Sequence, residues 1–137
     1  MRIESRFEGG LSVSAEVRGH RIRTDQPAAA GGDGGAASPF DLFLASLATC
    51  AGYYALQFCR QRGIDEAGLA VALEVEKDPD SGRLRQLALE VSPPAALPEK
   101  YRDALLRAVD QCAVKRALVA PPAMTAKLVA AESHRAA

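Results

Sequence analysis

The segment that begins at Ser38 and ends at Gly63 constrains the fold of this chain more than any other. Ser38 can cap a helix, Pro39 suits the first helical position, and Asp41 lies three residues after the cap. Gly63 supplies a signal for the end of the helix. Between these signals, residues 39–62 are apolar nearly all round until the last turn. The sequence therefore predicts a long helix over residues 39–62 that must be covered on most of its sides.

The size of the chain limits how that helix can be covered. A chain of 137 residues fits one domain, and a hydrophobic content of 48% is enough for a small core. We therefore predict a single domain over residues 1–137. Because so short a chain has little material with which to wrap an apolar helix of this length, the sequence also indicates that a second copy of the chain helps to bury it.

Charge and composition argue against several kinds of partner. Lys plus Arg equals Asp plus Glu at 17 each, so no general field draws the protein toward nucleic acid or an acidic membrane surface. The charged residues 1–6 are not followed by the apolar stretch of a secretion signal, and we expect no window to reach the roughly 18 apolar residues of a membrane span. Three cysteines without the spacing of a small secreted domain indicate free thiols in a reducing compartment. We expect a cytoplasmic protein that binds neither nucleic acid nor a membrane.

Periodicity and turn residues predict the other elements. Alternating apolar and polar residues predict three short N-terminal strands in a meander, and the Gly- and Ala-rich residues 25–37 predict a mobile surface loop. The strands are predicted at about residues 2–8, 11–18 and 20–24; later come a hairpin over 69–91, helices over 99–110 and 110–118, and a final strand near 124–131. This order of elements indicates an α+β fold.

Three cysteines are the candidates for chemistry. Cys59 follows Cys50 by nine residues, about 900° of helix, so it points to the opposite face and is predicted to be a buried hydrophobe. Cys112 lies near the start of a second helix, where backbone N–H groups and the nearby Lys115 would favour a thiolate. The residues alone support a redox pair of Cys50 with Cys112 and two unrelated buried cysteines equally well.

Two segments resemble the OsmC/Ohr family of osmotically induced and organic hydroperoxide resistance proteins. The segment Ser38–Cys50 resembles the Pro-led central helix that carries the first cysteine of the family. The segment Gln111–Leu118 resembles the one that carries the second cysteine, and the order of elements and the chain length match as well. The resemblance implies an OsmC-like fold, in which β-sheets wrap around a long buried central helix in an intertwined homodimer.

The same resemblance implies a cysteine-based thiol peroxidase in oxidative stress defence. Cys50 would attack a small organic hydroperoxide, and Cys112 would condense with the resulting sulfenic acid to form a disulfide. An external dithiol, in the family often a lipoyl group, would restore the enzyme, and no metal or other cofactor is implied. The residues agree, because His20 and His134 are the only histidines and no CxxC or HExxH pattern is present.

The chain departs from the family at one catalytic position. The peroxidases carry a catalytic Glu ten residues before the first cysteine, where this chain has Phe40, and the adjacent Asp41 is better suited to capping the helix. The family also uses an arginine from the N-terminal half, and no motif selects among four candidates: Arg6, Arg18, Arg21 and Arg23. Without such a charge, we expect Cys50 in apolar surroundings to have a raised pKa and to react slowly.

Other interpretations use the same residues. Tyr53 and Tyr54, one turn after Cys50, could line a pocket for a fatty or aromatic hydroperoxide or could be core residues. The chain could be a redox-inactive protein that binds a small molecule on the same fold. It could also be a redox sensor, in which a disulfide between Cys50 and Cys112 changes the affinity for a partner.

Overall fold

The centre of the fold is helix α1, Pro39–Gln61. The computed structural model describes residues 1–130 of the chain. At the start of α1, Oγ of Ser38 accepts a hydrogen bond from the N–H of Asp41 at 3.1 Å, and the Asp41 carboxylate accepts one from the N–H of Ser38 at 3.0 Å. This reciprocal capping box confirms the predicted helix start and the capping role of Asp41. The chain leaves the helix through Gly63, whose φ of +63° favours glycine.

One side of α1 packs against the other elements of the C-terminal half. Strands β4, Ala70–Lys77, and β5, Leu84–Ser92, form an antiparallel hairpin that contacts α1. Helix α2, Arg102–Val109, follows a short 3-10 turn, and helix α3, Ala113–Val119, follows α2. The fully buried side chains include five from α1 and three from α2 and the turn after it: Leu47, Ala51, Ala55, Phe58, Cys59, Leu105, Val109 and Cys112.

The N-terminal strands form a separate three-stranded meander, as predicted. Strands β1, Ser5–Gly9, β2, Ser12–Val17, and β3, His20–Thr24, pair in the order β1-β2-β3. Arg18 and Gly19 both have positive φ, 51° and 80°, which is the two-residue turn that suits the twist of a hairpin. Among residues 1–130, no residue of this sheet belongs to the core cluster around α1.

The loop over residues 25–37 is built around the carboxylate of Asp25. Asp25 is 1% exposed, and its carboxylate accepts hydrogen bonds from the N–H groups of Gln26 at 2.8 Å and Gly35 at 3.0 Å. These bonds, that of Gly35 foremost, hold the pKa of Asp25 below its usual range. At Gly32 a Cβ would lie 2.0 Å from the carbonyl oxygen of Gln26, so only glycine fits. A buried carboxylate therefore organises the backbone of this surface loop, which the sequence did not predict.

The predicted final strand is absent from the part of the chain that the structure describes. Residues 121–130 have no regular structure, and Met124 and Leu128 are almost fully exposed. Strands need a hydrogen-bonding partner, and within residues 1–130 neither sheet pairs with this segment. Residue 131, the predicted end of the strand, and His134 lie outside the described residues.

Helix α1 corrects another expectation. By length and composition alone it could cross a membrane, whereas the sequence was expected to contain no such window. This finding is weak support for a membrane span, because the core helix of a soluble protein passes the same test. Only 28% of the apolar window is buried within the chain, so much of the helix has no cover from the described residues.

The substitution Ser38→Ala tests the start of α1. We expect it to lower the free energy of unfolding by about 1 kcal/mol, because one orphan N–H of the first turn loses its acceptor. Ser38 also holds the pKa of Asp41 below its usual value. The capping box therefore contributes its full stability above the pKa that Asp41 has in the unfolded chain. This stability is lost as the pH falls through the lower pKa of Asp41 in the folded protein. Urea unfolding at neutral and acidic pH measures both effects.

The matched control is Ser46→Ala in the same helix. Oγ of Ser46 bonds the carbonyl oxygen of Phe43, which the helix also uses, so its removal should change stability little. Equal losses for the two variants at neutral pH would contradict a specific capping role for Ser38.

Candidate functional site

The structure brings Cys50 and Cys112 together. Cys50 is half-buried in the middle of α1, and Cys112 is fully buried as the residue that caps α3. Sγ of Cys112 lies 4.0 Å from the carbonyl oxygen of Leu47, one turn before Cys50. Each thiol shifts the pKa of the other through a side-chain hydrogen bond, so the two side chains lie next to each other. The two cysteines are therefore neighbours in the fold, although they lie 62 residues apart in the sequence.

The first turn of α3 stabilises a thiolate at Cys50. Burial alone would raise the pKa of Cys50, but hydrogen bonds from the N–H of Val114, the thiol of Cys112 and the N–H of Ala113 outweigh it. The pKa of Cys50 is therefore below that of an ordinary cysteine. This overturns the expectation of a raised pKa in the absence of an arginine, because backbone N–H groups supply the compensation. The signal in the sequence was the helix start after Cys112, but the N–H groups of Ala113 and Val114 in that turn bond the sulfur of Cys50.

Cys112 has the opposite character. Burial raises its pKa, and the hydrogen bond that it shares with Cys50 raises it further. The N–H of Lys115 bonds Sγ of Cys112 at 3.4 Å but does not offset these effects, and the Lys115 ammonium is paired with Asp110. The expectation that Cys112 is the stabilised thiolate is therefore wrong. The pair consists of one partly accessible sulfur whose pKa is lowered and one buried sulfur whose pKa is raised.

Cys59 is separate from this pair, as predicted. It is 0% exposed, as expected of a buried hydrophobe, and it shares the core cluster with Cys112, but neither Cys50 nor Cys112 is among the groups that shift its pKa. Burial raises its pKa, and the charge of Glu66 adds to that effect. Such a thiol is a small core residue with little nucleophilic character.

None of the four candidate arginines contributes to the pKa of Cys50 within the described chain. Arg21 pairs with Glu8 at 2.5 Å, and Nε of Arg23 donates to Oγ of Ser12 at 3.0 Å. Arg6 and Arg18 line a shallow polar cleft of the N-terminal sheet. All four lie in that sheet or its turn, which is apart from the helix that carries Cys50.

Phe40 and the two tyrosines are not part of the thiol contact. The Phe40 ring is 43% exposed, lies 5.6 Å from the ring of Phe43, and has the Lys77 ammonium 5.3 Å from its centroid. Tyr54 packs partly against the core, whereas Tyr53 is 57% exposed. Only Tyr54 therefore fits the core interpretation within the described chain.

The pH dependence of Cys50 alkylation tests this asymmetry. We expect Cys50 to react with iodoacetamide at a midpoint below that of an ordinary cysteine, with the rate falling as the pH drops through the midpoint. Cys112→Ala removes a hydrogen-bond donor to the thiolate, so the midpoint should rise. Mass spectrometry of the Cys50 peptide measures both, and Cys59→Ala is the control that should leave the midpoint unchanged. An identical midpoint in the wild type and Cys112→Ala would rule out the bond as a cause.

Known proteins share both the sequence pattern and the fold of this chain. The family described as OsmC-like protein matches residues 32–127. No curated protein matches the chain. One similar solved structure is a protein from Psychrobacter arcticus 273-4 that is named for osmotic stress induction and a detoxification response. The two chains are 26% identical and superpose with a TM-score of 0.70, and the match covers 84% of this chain and 85% of that chain.

Two further structures share the fold. The organic hydroperoxide resistance protein OsmC from Legionella pneumophila has a TM-score of 0.58 at 20% identity, with 85% of this chain and 87% of that chain covered. The organic hydroperoxide resistance protein OhrB of Bacillus subtilis has a TM-score of 0.53 at 20% identity, with the same coverage, 85% and 87%. The match over both cysteine segments, together with the shared α+β architecture, shows that the chain belongs to the OsmC-like protein family.

Proposed function

We propose that the chain is a thiol peroxidase that reduces organic hydroperoxides in the defence against oxidative stress. The observation that carries the proposal is the contact of the two thiols, in which Cys50 accepts hydrogen bonds from the first turn of α3 and from Cys112. The names of the Legionella and Bacillus relatives, which refer to organic hydroperoxide resistance, support the substrate class.

The first step uses the thiolate of Cys50. Its sulfur attacks the distal oxygen of the hydroperoxide ROOH, the O–O bond breaks, and the alkoxide takes a proton to leave as the alcohol ROH. Cys50 is then a sulfenic acid, oxidised by two electrons. The lowered pKa of Cys50 supports this role, because the thiolate is the nucleophilic form.

The second step uses the thiol of Cys112. Its sulfur condenses with the sulfenic acid of Cys50, which forms a disulfide and releases water. The shared hydrogen bond supports this role, because it holds the second sulfur beside the first. A dithiol such as a lipoyl group then reduces the disulfide by thiol exchange and becomes a cyclic disulfide itself, which returns both cysteines to the reduced state. The cycle draws on no metal or other cofactor, and it suits the reducing cytoplasm.

Phe40 sets the expected efficiency of the cycle. A ring stands here in place of the family's carboxylate, so within one chain the activation of Cys50 comes from the amides of α3 and from Cys112. We therefore propose a modest rate rather than the loss of the reaction.

Peroxide-dependent loss of thiols tests the cycle. We expect the wild type to lose two thiols and two hydrogens in mass, faster with cumene hydroperoxide than with hydrogen peroxide. Cys50→Ser should abolish the reaction, whereas Cys112→Ser should react once and then accumulate higher oxides of Cys50. Cys59→Ala, a buried cysteine outside the pair, should behave as the wild type. Stopped-flow thiol assays and intact mass measure each outcome.

Two other results would identify the alternatives. Thiols that survive excess peroxide would contradict the proposal and favour a redox-inactive binding protein. Rapid formation of the disulfide without turnover in the presence of dihydrolipoamide would favour a redox sensor.

We also propose that the active form is an intertwined homodimer. The apolar face of the N-terminal sheet is uncovered in one chain, with Phe7 87% exposed. A cavity of about 450 Å³ between β5 and the last helices is likewise open, and the adjacent Val119 is 76% exposed. Apolar surfaces of this kind are typical of interfaces between subunits. A second copy would cover them, and it could bring an arginine of its own N-terminal sheet to Cys50.

The substitution Phe7→Asp tests the dimer. A buried, unpaired carboxylate at the interface should weaken association by at least about tenfold, as measured by sedimentation over a range of concentrations. The control is Arg6→Asp, which places the same charge at the adjacent position of β1 on the opposite face. A monomeric wild type, or a Phe7→Asp dimer as tight as the wild type, would contradict the proposal.

A further inference from the structure

A groove between α1 and α2 differs in chemistry from the thiol site. Its volume is about 480 Å³, within the range of small-molecule sites. Two arginines line it, Arg62 and Arg107, together with three glutamines: Gln57, Gln61 and Gln111. No carboxylate is among the lining groups within the described chain. In a chain of zero net charge, this is a local concentration of cations and hydrogen-bond donors.

The two arginines of the groove differ from their neighbours in sequence. Arg60, two residues before Arg62, pairs with Glu66 at 2.9 Å, and Arg102 on α2 pairs with Glu99 at 2.7 Å. Among residues 1–130, neither Arg62 nor Arg107 forms an ion pair with a carboxylate. The two guanidinium groups of the groove are therefore available to an external anion.

Arg62 is held in place for such a role. Its guanidinium lies 3.8 Å from the ring centroid of Phe58 and 5.7 Å from that of Tyr101. One of its nitrogens also donates to the carbonyl oxygen of Phe58 at 3.4 Å. Stacking on aromatic rings fixes the plane of the guanidinium and leaves its other N–H groups free to bind a carboxylate in a bidentate manner.

The walls of the groove indicate the rest of the ligand. Tyr54, Phe58 and Ala108 give it an apolar lining between the polar groups. Tyr54 lies one turn after Cys50, and Gln111 immediately precedes Cys112, so these two residues mark the end of the groove that is nearer to the thiol pair. Along α1, the distance from Tyr54 to Arg62 is about 12 Å, which leaves room for an alkyl chain between a bound carboxylate and the thiols.

We propose that this groove binds an amphipathic carboxylic acid, with its carboxylate on Arg62 and Arg107 and its apolar chain directed toward Tyr54. The site requires only binding, so it does not depend on the peroxidase cycle. A carboxylic acid with an apolar chain fits better than an inorganic anion because Tyr54, Phe58 and two alanines line the groove beside the cations.

Calorimetric titration of the full chain with octanoate, 1-octanol and inorganic phosphate tests the site. We expect octanoate to bind at least about tenfold more tightly than 1-octanol, because charge-assisted hydrogen bonds to the guanidinium groups are lost with the alcohol. Phosphate should bind more weakly than octanoate. The double variant Arg62→Gln/Arg107→Gln should lose the preference for octanoate over 1-octanol.

The matched control is Arg60→Gln/Arg102→Gln, which removes the same charge from the same two elements outside the groove and should keep the preference. If the groove variant melts at a lower temperature than the control, Arg107→Gln alone replaces it, because Arg107 is exposed and does not stack on the rings; its preference should still fall. Equal binding of octanoate and 1-octanol, phosphate binding as tight as octanoate, or a preference that survives in the groove variant would overturn the proposal.

Discussion

Helix α1 has more apolar surface than one chain covers, and the rest of the molecule is arranged around that constraint. The β4–β5 hairpin, α2 and α3 all pack against it, and they bury one side. The three-stranded sheet contributes nothing to that core within the described chain, although one of its faces is apolar. One chain thus leaves two apolar surfaces exposed, one side of α1 and one face of the sheet. Both surfaces are exposed in one chain, as the proposed homodimer requires.

The same packing creates the chemistry. Helix α3 begins where it meets the middle of α1. Its first N–H groups, which have no acceptor within the helix, therefore donate hydrogen bonds to the sulfur of Cys50. The residue that caps α3 is itself a cysteine, so the cap and the second thiol are one group. Two identical side chains thereby differ in the direction of their pKa shifts for a structural reason: Cys50 accepts hydrogen bonds, and Cys112 donates one. This division does not need the acid that Phe40 replaces.

The sequence predicted the elements better than their contacts. Period and caps were sufficient for α1, for the meander and for the β4–β5 hairpin, since each depends on neighbours along the chain. The assignment of the thiolate failed, because proximity of Cys112 to a helix start did not reveal which sulfur the N–H groups face. The hydrogen bonds of the Asp25 carboxylate within the loop of residues 25–37 were not predicted for a similar reason. Asp25 looks like an ordinary polar residue until the backbone folds around it. The last strand was predicted from alternation alone, which does not supply a partner edge.

The cap of α3 makes this helix sensitive to the oxidation state of the two cysteines. Three N–H groups at the start of this short helix find their acceptors on the two cysteine sulfurs: those of Ala113, Val114 and Lys115. A sulfur in a disulfide carries no negative charge and is a poor acceptor, so a bond between Cys50 and Cys112 would leave the first turn of α3 without its partners. The helix has only seven residues to hold it. Oxidation would therefore destabilise the first turn of α3. The sulfur of Cys112, which is buried in the reduced protein, would then become accessible to a reductant.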